Sequence, residues 1–424
     1  MPKPYVTILG KAVRHVARLR GGGSALPGLF VEKIDPDFIR RTLAPLPHGV
    51  VIISGTNGKT TTTKMVVELL ESQGLNVFTN RTGSNFTRGV AAALLGEINF
   101  KGELEADIAV LELDEAHAVH FVRVVPPKYT LLLNVMRDQL DRFGEIDTTA
   151  GLLEHIAKAT TEHVVLNRED PRVLAIAPTL SNQAVHYFGL SDGLKTMFPS
   201  DDDMRGSNKK TANTLPEADV ILDTINDPDV HFLIGKKSVK TTLKLQGVYN
   251  IFNAAAAVAL VRVIVGGTLD QSKLMASLAN VEPAFGRGET LTVGGQPLEL
   301  VLVKNPSGFR LGLSSFTPSG YATMIAINDN YADGRDMSWL WDVDFESLQK
   351  NGVAVVSGVR AYDMALRLQY DEITVAHVDT NLTKGLRYFI NHAPNQPKRI
   401  FCTYTAMLAI RRELSKITEV KVVS

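Results

Sequence analysis

One cysteine in 424 residues, Cys402, excludes an internal disulfide framework and any zinc site built from several thiolates. It lies in the apolar run Arg399 to Tyr404, where burial raises a thiol's pKa, so it reads as an inert core side chain and not as a nucleophile. An excess of either charge is also missing, since 45 basic residues balance 45 acidic ones. Such a chain has no global drive toward nucleic acid or an anionic surface, which favours small-molecule chemistry and leaves only local patches. No apolar run approaches bilayer-spanning length, and Lys11, Arg14, Arg18 and Arg20 interrupt the apolar residues that a secretory leader would need. A cytoplasmic location is expected. Val6, Leu9, Val13 and Val16 recur at helical spacing opposite that basic set. They predict an amphipathic helix docked on its own domain, with peripheral contact at the inner face of a membrane as its other use.

What the chain does contain is a phosphate loop. Val50 to Lys64 reads VVIISGTNGKTTTTK: a β-branched apolar strand, a tight turn punctuated by Gly55 and Gly58, then a helix opened by Lys59 and Thr60. Glycines let backbone N–H groups approach phosphate oxygens, the lysine supplies charge for the β- and γ-phosphates, and the following hydroxyl reaches Mg²⁺. The position six before Lys59 is Ile53, so this is a short form of the loop. The strand Ile108 to Leu113 ends in Glu112, Asp114 and Glu115; Glu112 is the first choice for a metal-holding carboxylate and Glu115 the second. Asp114 to His117 spells DEAH, but charge balance, the short loop and the lack of a second Arg-rich core argue against a helicase. His117 and His120 read as surface or packing residues.

From Val50 to about residue 190 apolar strands alternate with helical patterns, which predicts a mostly parallel sheet covered on both faces, with ligands at the strand C-termini. Residues 191–240 lose the apolar periodicity and read as an inserted, partly mobile excursion. Asn250 and Asn253 share one face of an alanine-rich helix, a placement that suggests ligand contact or capping. Glu282 to Gly288 reads as a joint, after which alternation restarts in a second, smaller α/β domain. Its strand ends carry Lys304-Asn305-Pro-Ser-Gly308 and a loop from Asn328 to Asp342 that holds both tryptophans of the chain and four aspartates. Lys304, Asn305 and Asp329 are candidates for substrate or domain-interface contact.

The set Gly55 to Thr61, Glu112 to Glu115, Asn134 to Gly144, Asn167 to Pro171, Asn250 with Asn253, and Gly286-Arg287 resembles the Mur ligase family, ATP-dependent amide-forming enzymes of cell-wall synthesis. Lys304 to Gly308 and Asp333 to Asp342 look like its MurT branch, whose members are synthetase subunits without the family's usual N-terminal UDP-binding domain. The resemblance implies an N-terminal helix and connection over 1–45, a central P-loop ATPase domain with a mostly parallel sheet over 46–285, and a Rossmann-like C-terminal domain over 286–424. It implies ATP bound by Gly55, Thr56, Asn57, Gly58, Lys59, Thr60, Thr61, Asn250, Asn253 and Arg287, and Mg²⁺ on Thr60 and Glu112. The implied activity is amidation of the α-carboxylate of D-glutamate in the lipid II stem peptide, through an acyl-phosphate, with ammonia from a GatD-type class I glutaminase subunit. Asp336 would then orient the catalytic histidine of that partner. Two departures stand out. Residues 191–240 lack the four cysteines of the branch's frequent zinc ribbon, so no zinc is expected, and Gln139 replaces a common metal-binding histidine, with Lys158 the nearest match for a carbamylated lysine. A ligase that adds an amino acid, and a non-catalytic nucleotide-binding scaffold, are the competing functions.

Overall fold

The computed structural model describes residues 3–19, 26–80, 85–137, 146–198, 215–226, 228–245, 247–282, 287–315 and 319–420. It divides into two compact units, one of residues 1–135, 147–244 and 250–281 and the other of 136–146, 245–249 and 282–424.

The first unit opens with α1 (Pro4–Leu19), α2 (Leu26–Ile34) and α3 (Phe38–Leu43). The inward side of α1 is Val6, Thr7, Gly10 and Ala17, all buried, whereas Leu9 and Val16 face out. This corrects the expected docking face. Gly10 is the reason, because a Cβ there would sit 2.6 Å from Leu95 and 2.8 Å from Val31. Small residues mark the close approach; of the expected face Val6 is buried and Val13 half-buried, and Leu9 and Val16 are left on the other side.

All five residues of β1 (Val50–Ser54) are buried, as a parallel strand covered on both faces requires. The loop 55–58 leads into α4 (Lys59–Ser72), β2 (Val77–Thr79), α5 (Thr87–Glu97), β3 (Ile108–Glu112), α6 (Glu115–Val124) and β4 (Tyr129–Leu132). Then come α7 (Ile146–Ala159), β5 (His163–Asn167), α8 (Pro171–Leu174) and β6 (Ala184–Leu190). Strand β1 lies between β3 and β4, parallel to both, so the chain crosses to opposite sides of it and its C-terminal end is a topological switch point.

The excursion expected over 191–240 is not what the described residues form. Strand β7 (Val220–Asn226) pairs in parallel with β6, and β8 (Asp229–Ile234) and β9 (Lys237–Thr242) add two antiparallel strands, giving among the described residues the order β2-β3-β1-β4-β5-β6-β7-β8-β9. Val230, Phe232 and Ile234 point in and alternate with less buried partners, a period of two that contains no apolar run. Gly235 and Lys236, at φ of 52° and 71°, make the two-residue turn that such a hairpin prefers. Residues 199–214 lie outside the described residues. The unit closes with α9 (Val248–Val265) and α10 (Gln271–Asn280). Against the expectation of no such segment, Val248–Thr268 is long and apolar enough to cross a membrane, but it is mostly buried, and a helix apolar all round is a core helix when packed this way.

The second unit is also α/β. It runs β10 (Arg287–Val293), β11 (Gln296–Leu302), α11 (Pro306–Ser315), β12 (Ala322–Ala326), β13 (Val353–Ser357), α12 (Ala361–Tyr370), β14 (Val375–Asp379), α13 (Leu382–Asn391), β15 (Lys398–Cys402) and α14 (Tyr404–Leu414). The strand order is β10-β11-β15-β12-β13-β14, all parallel except the hairpin of β10 with β11. One face of the sheet packs Phe309, Phe345, Trp339 and Phe401, the other Leu298, Phe389, Cys402 and Met407. The thiol of Cys402 is fully buried, and desolvation pushes its pKa up, as an inert core position requires.

Candidate active site

The phosphate loop leaves the C-terminal end of β1 and is shaped by two glycines at positive φ, Gly55 at 133° and Gly58 at 89°. A Cβ on Gly55 would lie 3.0 Å from both the backbone N and O of Asn134, and one on Gly58 would lie 2.6 Å from Asn253 Nδ2. Dihedral angle and space both demand glycine here. Asn134, just past β4, staples the loop: its backbone O accepts from Thr56 N at 3.0 Å, its Oδ1 from Asn57 N at 2.9 Å, and its Nδ2 donates to Asn57 O at 2.9 Å. Helix α4 begins at Gly58 with no side-chain cap, a terminus suited to an anion. Lys59 is buried, with Nζ 2.5 Å from Gly55 O and 3.5 Å from both carboxylate oxygens of Glu115, itself buried at the start of α6. The Oγ1 of Thr61 is buried with no hydrogen-bond partner among the described residues.

Thr60 Oγ1 donates to Glu112 Oε1 at 2.9 Å, which places a hydroxyl and a carboxylate side by side at the end of β3. The side chain of Asn80 holds that strand end, accepting from Glu112 N at 3.0 Å and donating to Glu112 O at 2.8 Å. A second brace is Asp170, the cap of α8, whose carboxylate accepts from Val135 N at 2.7 Å and from Arg172 N and Val173 N at 3.0 Å. Burial outweighs these three donors and raises its pKa to about 6. Asn167 Nδ2 donates to Leu133 O at 2.8 Å, fixing the same strand end. The first unit thus brings together Gly55 to Thr61, Glu112, Glu115 and Asn253, with Asn250 one helical turn from Asn253 on α9.

These residues fit a nucleoside triphosphate with a divalent cation. Two cradles that a Cβ would fill, an uncapped helix terminus and a buried ammonium suit phosphate oxygens. The adjacent Thr60 and Glu112 oxygens suit a hard cation that keeps water and phosphate as its other ligands. Lys158 stands elsewhere. It lies in the last turn of α7, ahead of β5 and so at the N-terminal edge of the sheet, and pairs at 2.5 Å with Glu154 on the surface, which removes it as a metal-ligand candidate. Gln139 and the side chain of Arg287 lie outside the described residues.

In the second unit, Asn305 is fully buried with Oδ1 accepting from Gly308 N at 2.6 Å, a cap for α11; Lys304 directly precedes it. Asp329 sits 3.7 Å from Arg360. The loop that follows β12 is held by Asp333, buried, which accepts from Thr405 N at 2.7 Å and also bonds Thr405 Oγ1 at the start of α14. Asp336, half-buried, accepts from Ser338 N at 2.9 Å, so one carboxylate oxygen is engaged in a turn. The two tryptophans part company: Trp339 packs on Phe309 in the core, whereas Trp341 is exposed and meets Tyr370 edge-on at 5.1 Å.

Sequence reasoning missed Asn80, and singled out the stretches that hold Asn134 and Asp170 without their bracing roles. The local signal of those roles is no more than a polar residue closing a strand or opening a helix.

The family model of the Mur ligase middle domain matches residues 53–261, and that of the MurT ligase C-terminal region matches residues 302–407. The MurT subunit of lipid II isoglutaminyl synthase (glutamine-hydrolyzing) from Streptococcus pneumoniae strain R6 is 31% identical, with 96% of each chain covered. The subunit of the same name from Staphylococcus aureus strain COL is 28% identical with 87% of each covered. Among solved structures, MurF ligase from Thermotoga maritima in complex with ADP superposes with a TM-score of 0.68 at 18% identity, covering 91% of this chain and 83% of that one. A pseudomurein peptide ligase type C from Methanothermus fervidus gives 0.68 at 16%, covering 90% and 80%. With a phosphate loop braced from β4 and a C-terminal unit matched through its aspartate-rich loop, the chain belongs to the MurT branch of the Mur ligase family.

Proposed function

We propose that this chain is the ATP-consuming synthetase subunit of a lipid II isoglutaminyl synthase, amidating the α-carboxylate of D-glutamate in the stem peptide with ammonia made by a glutaminase subunit. The observation that carries the proposal is the likeness to relatives bearing that name, which runs the length of both chains. The chemistry agrees. A carboxylate oxygen attacks the γ-phosphorus of ATP and ADP leaves; ammonia then attacks the carbonyl carbon of the acyl-phosphate, phosphate leaves and a proton is lost. Transfer of this kind asks a protein for positioning and charge stabilisation. Gly55 to Thr61, Asn250, Asn253 and Arg287 would position the nucleotide, and Lys59 would draw charge off the β- and γ-phosphates. Thr60 and Glu112 would hold Mg²⁺, whose charge offsets that of the phosphates.

A thiol as buried as that of Cys402 cannot serve as a glutaminase nucleophile, which supports an external ammonia source. Asp336 would serve that partner as the acid that orients a histidine. Beside its loop, Tyr362, Leu366 and Tyr370 stand one turn apart along α12 with Trp341 against the last of them, all exposed, a surface suited to the glutaminase subunit. No zinc takes part, and stoichiometric zinc in the purified chain would contradict this.

The test supplies ATP, lipid II and ammonium and follows phosphate release together with the mass of the product. Amidated lipid II supports the proposal. A product enlarged by an amino acid, or ATP bound without phosphate release, overturns it.

A further inference from the structure

The outward side of α1 is apolar although α1 is already docked. Tyr5, Ile8, Leu9 and Val16 are 58%, 54%, 47% and 46% exposed, and Ala12 is exposed between them, so positions 5, 8, 9, 12 and 16 form one continuous stripe at helical spacing. The helix is held from behind: Val6 and Ala17 are buried, Gly10 permits close contact with Val31 and Leu95, and Lys3 pairs at 3.1 Å with the buried Asp35, which Arg41 also binds. The stripe is therefore not a docking face waiting for its own domain. Beside it Phe100 is 72% exposed, with the Lys11 ammonium 5.5 Å from its ring.

Charge points to the occupant. Residues 1–31 contain Lys3, Lys11, Arg14, Arg18 and Arg20 and no aspartate or glutamate, in a chain whose formal net charge is zero. On α1, Lys11 and His15 border the exposed stripe at helical spacing. An apolar stripe of aromatic and aliphatic side chains rimmed by basic residues is the pattern of a helix lying in a membrane interface and drawn to anionic lipid.

We propose that the outward face of α1, formed by Tyr5, Ile8, Leu9, Ala12 and Val16 with Phe100 beside it, rests on an anionic lipid surface. This rests on the proposed function to the extent that a lipid-linked substrate makes such contact useful. The binding itself needs neither ATP nor substrate, and so it is tested apart from catalysis.

The experiment floats the full chain with vesicles of equal parts phosphatidylglycerol and phosphatidylcholine, and with phosphatidylcholine alone. Wild type is expected to float with the anionic vesicles and to be released by salt. The double variant Ile8→Glu/Leu9→Glu, at exposed positions and with an unchanged melting temperature, is expected to partition about tenfold less or weaker. Lys11→Glu should weaken binding on anionic vesicles only. In detergent-solubilised substrate both variants should amidate as wild type does, so loss of the amidating activity in every protein would sink the functional proposal and leave this one standing. Wild type that floats with neither vesicle, or a double variant that floats equally well, overturns the inference. So does a double variant that changes oligomeric state by light scattering, or loses a co-purifying glutaminase, while vesicle binding is unaffected.

Discussion

At the scale of single residues, the candidate site turns on groups that have one acceptable identity. Lys59→Ala removes the buried ammonium and should lower ammonium-driven phosphate release by about 10²-fold or more while the fold persists, checked by circular dichroism. Gly58→Ala places a methyl group against Asn253 at φ of 89°. The left-handed backbone alone costs about 1–2 kcal/mol, and the collision has to displace a buried side chain, so ATP affinity by calorimetry should fall sharply. Asp170 makes a pH prediction. Its folded-state pKa of about 6 lies above the ordinary 3.8, so the folded chain holds the proton more tightly than the unfolded one. The stability this contributes is complete below about pH 4 and is lost as pH rises through about 6, an effect of roughly 3 kcal/mol. Urea unfolding from pH 4 to 7 should show that decline, and Asp170→Asn should flatten it. The same variant should lie furthest below wild type at pH 4, where the wild-type carboxyl is protonated, and the gap should narrow by roughly 3 kcal/mol toward pH 7; it exists because an amide cannot accept from Val135, Arg172 and Val173 on both of its atoms.

At the scale of elements, legibility followed the range of the interactions involved. The strand, loop and helix from Val50 to Lys64 could be read because every step is local: β-branched burial, glycine punctuation, a cationic helix start. The roles of Asn134, Asn80 and Asp170 could not, since each acts through hydrogen bonds to backbone remote in sequence. Strands β7 to β9 were missed for a different reason. Half-buried antiparallel strands alternate, and a search for apolar runs passes over Val230, Phe232 and Ile234. On α1 Val6 pointed to the packing face but Leu9 and Val16 drew attention to the wrong side, while Gly10 and Ala17 marked where the helix packs. The same logic makes Gly28 a sensitive position. A Cβ there would lie 1.9 Å from Arg88 O, so α2 and α5 touch backbone to side-chain position. Gly28→Ala should force these helices apart and lower stability by about 1–3 kcal/mol or more, read as a fall in melting temperature, whereas Gly74→Ala, with open space around it, is strained only by its φ of 90°.

At the scale of the whole molecule, the proposed reaction turns on the source of its nitrogen. On the proposed function, a chain whose one thiol is buried in the core of its second unit would receive ammonia from solution or from a partner, and these sources are separable by experiment. Asp336→Asn keeps an oxygen for the Ser338 N–H and so keeps the loop turn, but removes the negative charge that a partner's histidine would use. Glutamine-driven amidation should therefore fall by about 10³-fold or more, with ammonium-driven amidation unchanged. Tyr362→Asp with Leu366→Asp should act differently. Both side chains are more than 45% exposed and neither supports the core, so the fold should survive while the glutaminase subunit no longer co-purifies. Excess partner should restore glutamine-driven turnover in that pair but not in Asp336→Asn, because one change weakens association and the other removes a group that acts after it. If Asp336→Asn lost ammonium-driven turnover as well, the aspartate would belong to the synthetase chemistry of this chain, and its assignment to the partner would fail.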